Sequence, residues 1–303
     1  MAPAVTVVIP THNRPHELRL AVRSVLAQTH TDWRLIIVDD GSEQPVTSET
    51  LGTDDARVTV VRHDTARGVA RARNAGIAQA DTPWVAFLDD DDLWAPGKLA
   101  RQLADADRTG ATMLFGSATY VTPDGLWIYD RIVAPADGLG AQLLTENVVG
   151  EPSTVLVDRE LLAQAGGFDP AFSTLADWDL WLRLSEIATP LAGREPATAI
   201  LVHAGSMQLV DQAGAERELA LLADRHRDLA ERCGRPLGSA RIDMWLADKR
   251  RRADPRPATA LAYTRSAIAA EGPVKVVRRF ARRAHRRLRP VPAPDWVLQL
   301  RAP

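Results

Sequence analysis

Residues 84–94 read WVAFLDDDDLW, from Trp84 to Trp94. Trp84–Leu88 is an apolar run without alternation, the pattern of a short strand buried on both faces. It delivers four consecutive carboxylates, Asp89 to Asp92, to the strand's C-terminal end. In open α/β sheets that edge is where ligands bind. Four adjacent acids repel one another unless solvated or balanced by a cation. Carried into a crevice by a hydrophobic strand, they suit a hard divalent ion, Mg²⁺ or Mn²⁺, held through oxygen. A solvated acidic turn is the plain alternative.

The flanking sequence repeats the theme. VTVVIP (Val5–Pro10) and RLIIV (Arg34–Val38) are further buried strands, the second ending in Asp39-Asp40-Gly41-Ser42. Asn13-Arg14-Pro15 opens a helix with proline in its first turn, and Leu18, Ala21, Val22, Val25 and Leu26 make one apolar stripe along it. Val58–Arg62 is another short strand and GVARARNAGIAQA (Gly68–Ala80) a helix. Strands and helices in alternation predict an α/β fold with a mainly parallel central sheet and flanking helices.

The pattern changes after Gly110. Residues 112–133 carry short strands interrupted by the turn signal Pro123-Asp124-Gly125. Val155–Val157 reads as a strand, Arg159–Ala165 as a short helix closed by Gly166-Gly167, and Asp177–Ile187 as a helix. From Ala213 the chain is nearly all helical and charged, broken at Pro236 and at Pro255 and Pro257. The expected organisation is an α/β nucleotide-binding half (1–110), a second half (111–212) and a helical C-terminal extension (213–303).

The 303 residues hold 37 Lys+Arg against 39 Asp+Glu, a net charge of −2, which excludes a wholesale basic nucleic-acid binder. That average hides a tail: Lys275 to Arg289 carries eight basic residues and no acidic one, leaving a body near −10. One cysteine, Cys233, excludes an intramolecular disulfide framework and a cysteine-based zinc site. The N-terminus shows no secretory signal and no run suits a membrane span, so a cytoplasmic protein is expected. There is no Walker phosphate loop, and Gly138-Leu139-Gly140 lacks the third glycine of a dinucleotide fingerprint. Metal and basic side chains would have to handle any phosphate.

Five segments in order, VTVVIPTHNRP, LIIVDDGS, GVARARNAG, WVAFLDDDDLW, and GGFD followed by DWDLWLRL, resemble glycosyltransferase family 2 over residues 4 to 207. The resemblance implies a GT-A fold, a nucleotide-diphospho-sugar donor, Mn²⁺ or Mg²⁺, and inversion at the anomeric carbon. It implies that Pro10, Thr11 and His12 flank the nucleoside, that Asp40 with Asp39 accepts a hydrogen bond from the base, and that Arg73 lies near the nucleotide. Asp89-Asp90-Asp91 matches the D-x-D motif. Asp91 is then the metal ligand, Asp89 a ribose, sugar or metal contact, Asp90 part of the nucleotide site and Asp92 a supporting residue.

Displacing a nucleoside diphosphate with inversion requires a carboxylate that takes the acceptor hydroxyl's proton. Relatives place it in a Glu-Asp pair before a D-L-W-L-R-L helix; Asp177 matches that base, and the preceding acid has become Ala176. Asp179 is expected to be structural. Trp178 and Trp181 share a helix face and either pack or stack on an acceptor sugar. Glu151, in the Glu151-Pro152-Ser153 turn, is expected to line the acceptor pocket, and His203 to lie near diphosphate or metal. Family members use UDP-, GDP- and dTDP-sugars; a UDP-sugar is the favoured donor, and the acceptor is an unidentified hydroxyl, lipid-linked or glycan. The basic stretch 275–289 is helix-compatible and suits an anionic membrane surface on the inner face of the cell membrane. A sugar nucleotidyltransferase is the enzyme alternative, but PTHNRPHE (Pro10–Glu17) is not the glycine-rich loop that chemistry needs. A sugar-nucleotide-binding module without turnover is the non-catalytic alternative.

Overall fold

The computed structural model describes residues 5–202, 212–238, 242–244, 246–247, 257–276 and 291–301. Strands β1 (Val5–Thr11), β2 (Trp33–Asp39), β3 (Val58–Arg62) and β4 (Trp84–Phe87) are all parallel in the order β3-β2-β1-β4. All seven residues of β1 are buried, as a β-branched run covered on both faces must be. Helix α1 (Pro15–Leu26) starts with Pro15 in its first turn and buries Leu18, Ala21, Val22 and Val25, the stripe read from the sequence. Helix α2 (Ser48–Leu51) is one turn, and α3 (Val69–Ala78) returns the chain to β4. Strand order reverses between β1 and β4, so a crevice opens at their C-terminal ends.

The rest of the sheet is mixed. Strand β5 (Leu93–Trp94) and helix α4 (Lys98–Thr109) follow β4; β6 (Met113–Val121) and β7 (Trp127–Arg131) form a hairpin around Pro123–Gly125. After α5 (Leu139–Leu143) and a 3-10 turn (Pro152–Thr154), β8 (Leu156–Asp158) inserts antiparallel between β4 and β6. Helices α6 (Arg159–Ala165) and α7 (Ala176–Leu184) precede β9 (Pro190–Leu201), which is parallel to β6 and antiparallel to β5. The full order is β3-β2-β1-β4-β8-β6-β9-β5, with β7 beside β6. The parallel reading therefore holds for the first four strands, and antiparallel pairings enter with β8, β7 and β5.

Two compact units emerge, one within 1–137, 149–206 and 292–303, the other within 138–148 and 207–291. The first holds the sheet. Its core joins Val7, Ile9, Leu35, Ile37, Leu88 and Trp94 to Leu18, Val22 and Val25 of α1; each fully buried aliphatic side chain contributes about 1.5–3 kcal/mol. A smaller cluster gathers Leu20, Leu93, Val121 and Leu201 around Ala293 and Val297. Val297 belongs to helix Asp295–Arg301, which is further tied by Ala293 N–H to Gly125 O at 2.8 Å. The second unit contains α8 (Gln212–Arg225), α9 (Arg227–Arg232) and helix Pro257–Glu271. Among the described residues no helix is long and apolar enough to cross a membrane.

Candidate active site

The C-terminal ends of β1, β2 and β4 converge. Thr11 ends β1, and its hydroxyl donates to Asp90 Oδ2 at 2.7 Å across the β1–β4 switch point. Pro10, in register with Val38 of β2, lies buried just before it. His12 Nδ1 donates to the Asp40 carbonyl at 2.9 Å, Asn13 N–H to Ser42 Oγ at 2.9 Å, and Glu43 N–H to Asn13 Oδ1 at 2.8 Å. These bonds pin the turn at Asn13, whose φ of 56° lies in the left-handed region that asparagine tolerates. They fix the point from which Arg14 projects.

Asp39 and Asp40 are buried at the end of β2. Asp39 accepts from Ser42 N–H at 2.9 Å, Val46 N–H at 3.1 Å and the Arg62 guanidinium. Asp40 accepts from His63 Nδ1 at 2.7 Å, from Arg67 N–H on both oxygens and from Gly68 N–H at 2.8 Å. Burial raises both carboxyls, but these bonds outweigh it and hold them below the ordinary range. Three donors of its own chain thus meet Asp40, and the pair organises the loops at Gly41–Ser42 and Arg67–Gly68.

The four acids divide by direction. Asp90 and Asp92 turn inward. Burial, with Asp91 and Asp89 adding repulsion, pushes the Asp90 carboxyl up to about 7 against the bonds from Thr11 and Arg14. Burial likewise raises Asp92 well above the carboxylate range, although Ser153 Oγ donates to it at 2.5 Å. Ser153 also accepts from Asp89 N–H at 3.0 Å, so one hydroxyl ties two members of the run together. Asp89 is the most open of the run, its side chain 26% exposed, and Asp91 is half-buried. Asp89 pairs with Arg73 at 2.5 Å and Asp91 with Arg14 at 2.7 Å.

Asp177 stands in the first turn of α7, accepting from Trp178 N–H at 2.8 Å. Its surroundings raise the carboxyl to about 6: burial is the largest cause, Arg73 and the Trp178 N–H oppose it, and Glu151 and Asp89 add to it. Those influences place Asp177 in the field of the Arg73–Asp89 pair at the strand ends. Glu151 accepts from the Tyr120 hydroxyl at 2.6 Å and lies 3.5 Å from Arg131, while its Oε2 accepts no hydrogen bond. Tyr120 itself stacks on Tyr129. Trp181 is wholly buried, donates its indole N–H to Gly150 O at 3.0 Å and meets Phe168 edge-on, so it packs rather than stacks on a sugar. Trp178 is also buried. Asp179 is buried and pairs with Arg183 at 2.6 Å, a structural role as read from the sequence. His203 lies outside the described residues.

Arg14, Ser153, Tyr120 and Arg131 join this site without having been singled out as its members from sequence. Ser153 sat in the Glu151–Ser153 turn, but nothing local signals that a side chain reaches from residue 14 to 91, or from 153 to 92. For a divalent ion, the donor set is chemically apt: Asp91 and Asp89 offer hard oxygen at the crevice. Among the described residues no three His, Cys, Asp or Glu side chains gather as a metal cluster.

A curled mixed sheet with carboxylates at its parallel edge gives a fold similar to that of GT-A glycosyltransferase structures. The family model for glycosyl transferase family 2 matches residues 6–163, and the chain belongs to that family. The protein is a glycosyltransferase acting from a nucleotide sugar. It is 30% identical over 180 residues to the UDP-Glc:alpha-D-GlcNAc-diphosphoundecaprenol beta-1,3-glucosyltransferase WfgD of Escherichia coli, covering 59% of this chain and 69% of the relative. Its fold is similar to that of S. aureus TarS 1-349 in complex with UDP-GlcNAc (TM-score 0.62, 17% identity, 90% and 82% of the two chains). It is also similar to mannosyltransferase PcManGT from Pyrobaculum calidifontis in complex with GDP-Man and Mn²⁺ (TM-score 0.55, 19% identity, 95% and 81%).

Proposed function

We propose that this enzyme moves a sugar, with inversion, from a UDP-sugar to an acceptor hydroxyl, with Asp177 as general base. The observation that carries the reading is Asp177 itself. Its carboxyl sits at about 6, in the field of the Arg73–Asp89 pair at the end of β4. A base tuned close to neutrality is deprotonated at working pH yet still drives proton transfer. In the reaction the acceptor oxygen bonds to the anomeric carbon on the face opposite the departing diphosphate. Its proton passes to Asp177, and the C–O bond to the diphosphate breaks.

Residues 1–110 would hold the donor: Pro10, Thr11 and His12 beside the nucleoside, Asp40 with Asp39 at the base, Arg73 near the nucleotide, Asp89 and Asp90 on the sugar-nucleotide side. Asp91, with Asp89 and a contribution from His203, would hold Mn²⁺ or Mg²⁺. The ion, when bound, neutralises charge developing on the leaving diphosphate. Residues 111–212 would carry the acceptor, with Glu151 lining its pocket. The UDP preference and a lipid-linked or envelope-glycan acceptor draw support from the name of WfgD; the divalent ion draws support from PcManGT's Mn²⁺. The basic stretch 275–289, of which 277–289 lies outside the described residues, would attach the enzyme peripherally to an anionic leaflet.

The test is a nucleotide-sugar panel read by thermal shift and diphosphate release, with and without Mn²⁺, on wild type and Asp177→Asn. One donor should stabilise the protein in the presence of metal, and release should collapse in the variant. Equal release in both proteins would remove Asp177 as base. Failure of every donor to bind would overturn the site.

A further inference from the structure

Arg14 occupies the N-cap position of α1, and its Nη1 touches two acids: Asp90 Oδ1 at 3.1 Å and Asp91 Oδ2 at 2.7 Å. The arginine side chain is 30% exposed, while the two carboxylates are 8% and 11% exposed. The contact is therefore largely desolvated, where a charge-assisted hydrogen bond is strong. Nη1 lies on Asp91 Oδ2, an oxygen of the carboxylate read as the metal ligand, so the guanidinium and an ion held there would compete for the same oxygen. The pinned turn at His12 and Asn13 aims the guanidinium there, since both residues are bonded to the β2 loop.

We propose that Arg14 is a resident counter-cation that keeps the Asp90–Asp91 pair closed, so that the nucleotide-free enzyme binds a divalent ion weakly until a nucleoside diphosphate arrives with it. This rests on the reading of Asp91 as metal ligand. Asp89 carries its own cation, Arg73 at 2.5 Å, so at Asp91 the exchange the ion must make is with Arg14. Nucleotide adds phosphate oxygens that shift the exchange in the ion's favour. Metal and donor affinities are then coupled through one side chain, and coupling of this kind is reciprocal.

The experiment titrates Mn²⁺ into the full chain, following free Mn²⁺ by electron paramagnetic resonance, with and without UDP, for wild type, Arg14→Gln and Arg14→Lys. Without UDP, Arg14→Gln should bind Mn²⁺ at least about tenfold more tightly than wild type, the effect of removing a charged hydrogen bond that competes with the ion. Arg14→Lys, a point charge that cannot reproduce the fork, should show a smaller gain. With UDP the three should draw closer together. Wild type binding Mn²⁺ with UDP, but no gain in Arg14→Gln, would overturn the proposal and leave the metal reading standing. No Mn²⁺ binding by any of the three, even with UDP, would overturn both. Should Arg14→Gln fail to fold, Arg14→Lys decides, and an affinity equal to or weaker than wild type would overturn the proposal.

Discussion

Asn74 and Phe168 hold each other by a reciprocal pair of hydrogen bonds: Asn74 Nδ2 donates to Phe168 O at 2.7 Å, and Phe168 N–H donates to Asn74 Oδ1 at 2.8 Å. This fastens the Gly166-Gly167-Phe168 loop to α3, one residue along from Arg73. Arg183 of α7 grips the same loop from the other side, donating to Gly167 O at 2.8 Å. Gly167 has φ of 69°, and a Cβ there would meet Asn74 Oδ1 at 2.6 Å. Asn74→Ala leaves two backbone groups without their partner and should cost about 2–3 kcal/mol, read as a lowered urea midpoint. Because the loop leads toward Asp177, turnover should fall as well. An unchanged midpoint would contradict the role given to this pair.

Gly76 of α3 lies against β1. A Cβ on it would sit 2.3 Å from Val8 Cγ1 and 3.1 Å from Cγ2. Valine is stiff and cannot swing aside. Gly76→Ala should destabilise by about 1–3 kcal/mol through overpacking, despite alanine's better helix propensity. Adding Val8→Ala should recover part of that loss. Additive destabilisation in the double variant would show that the two positions do not touch.

Asp177 predicts a pH dependence whose sign is opposite for activity and for stability. Activity needs the carboxylate, so kcat/KM should rise with pH and level off above about 6. The native state binds this proton more tightly than the unfolded chain does. Its contribution to stability is therefore full below the unfolded value of about 4 and is lost as pH rises through about 6. Asp177→Asn should lower turnover by about 10²–10⁴-fold while melting higher than wild type at about pH 7.5, above the folded value. The difference in melting temperature should shrink at about pH 4. A variant less stable at both pH values would refute the strained-base reading.

Lys98 is fully buried at the start of α4, with Nζ 3.9 Å from the Trp94 ring centroid and 3.5 Å from Val155 O. Burial drives its amine well below the ordinary lysine range. The native state favours the neutral amine, so this site should stabilise the fold increasingly as pH rises toward the unfolded lysine value of about 10.4. Lys98→Met, similar in shape and uncharged, should raise the melting temperature at about pH 7, with the gain narrowing toward about pH 10. A lower melting temperature at neutral pH would mean that Lys98 is held as a cation.

What the sequence made legible follows from where the information is local. Strands β1, β2 and β4 are apolar runs, and the ends of β2 and β4 carry the acids, so the donor side of the crevice could be read directly. Strand β9 could not: PLAGREPATAIL contains proline, glycine and charge, and only its last four residues, Thr198 to Leu201, are deeply buried. Those four are held by pairing with β6 and β5, partners far away in the chain. The same limit hid Arg14. Its local reading was the start of a helix, and its partners lie 76 and 77 residues downstream. Asp40 shows the same limit from the other side, because a motif names a residue type but not which backbone groups, here the N–H groups of Arg67 and Gly68, will bond to it.

Helix Asp295–Arg301 has a bearing on how the enzyme is made. Val297 and Ala293 complete a cluster whose other members include Leu20, Leu93, Val121 and Leu201, which emerge from the ribosome long before them. During synthesis those four side chains must wait, incompletely covered, while residues 207–291 are translated. A nascent chain arrested at residue 290 should therefore resist protease less well at the β6–β7 hairpin than the released protein does. The carbonyl of Gly125, in the turn of that hairpin, gains its bond from Ala293 N–H only at the end.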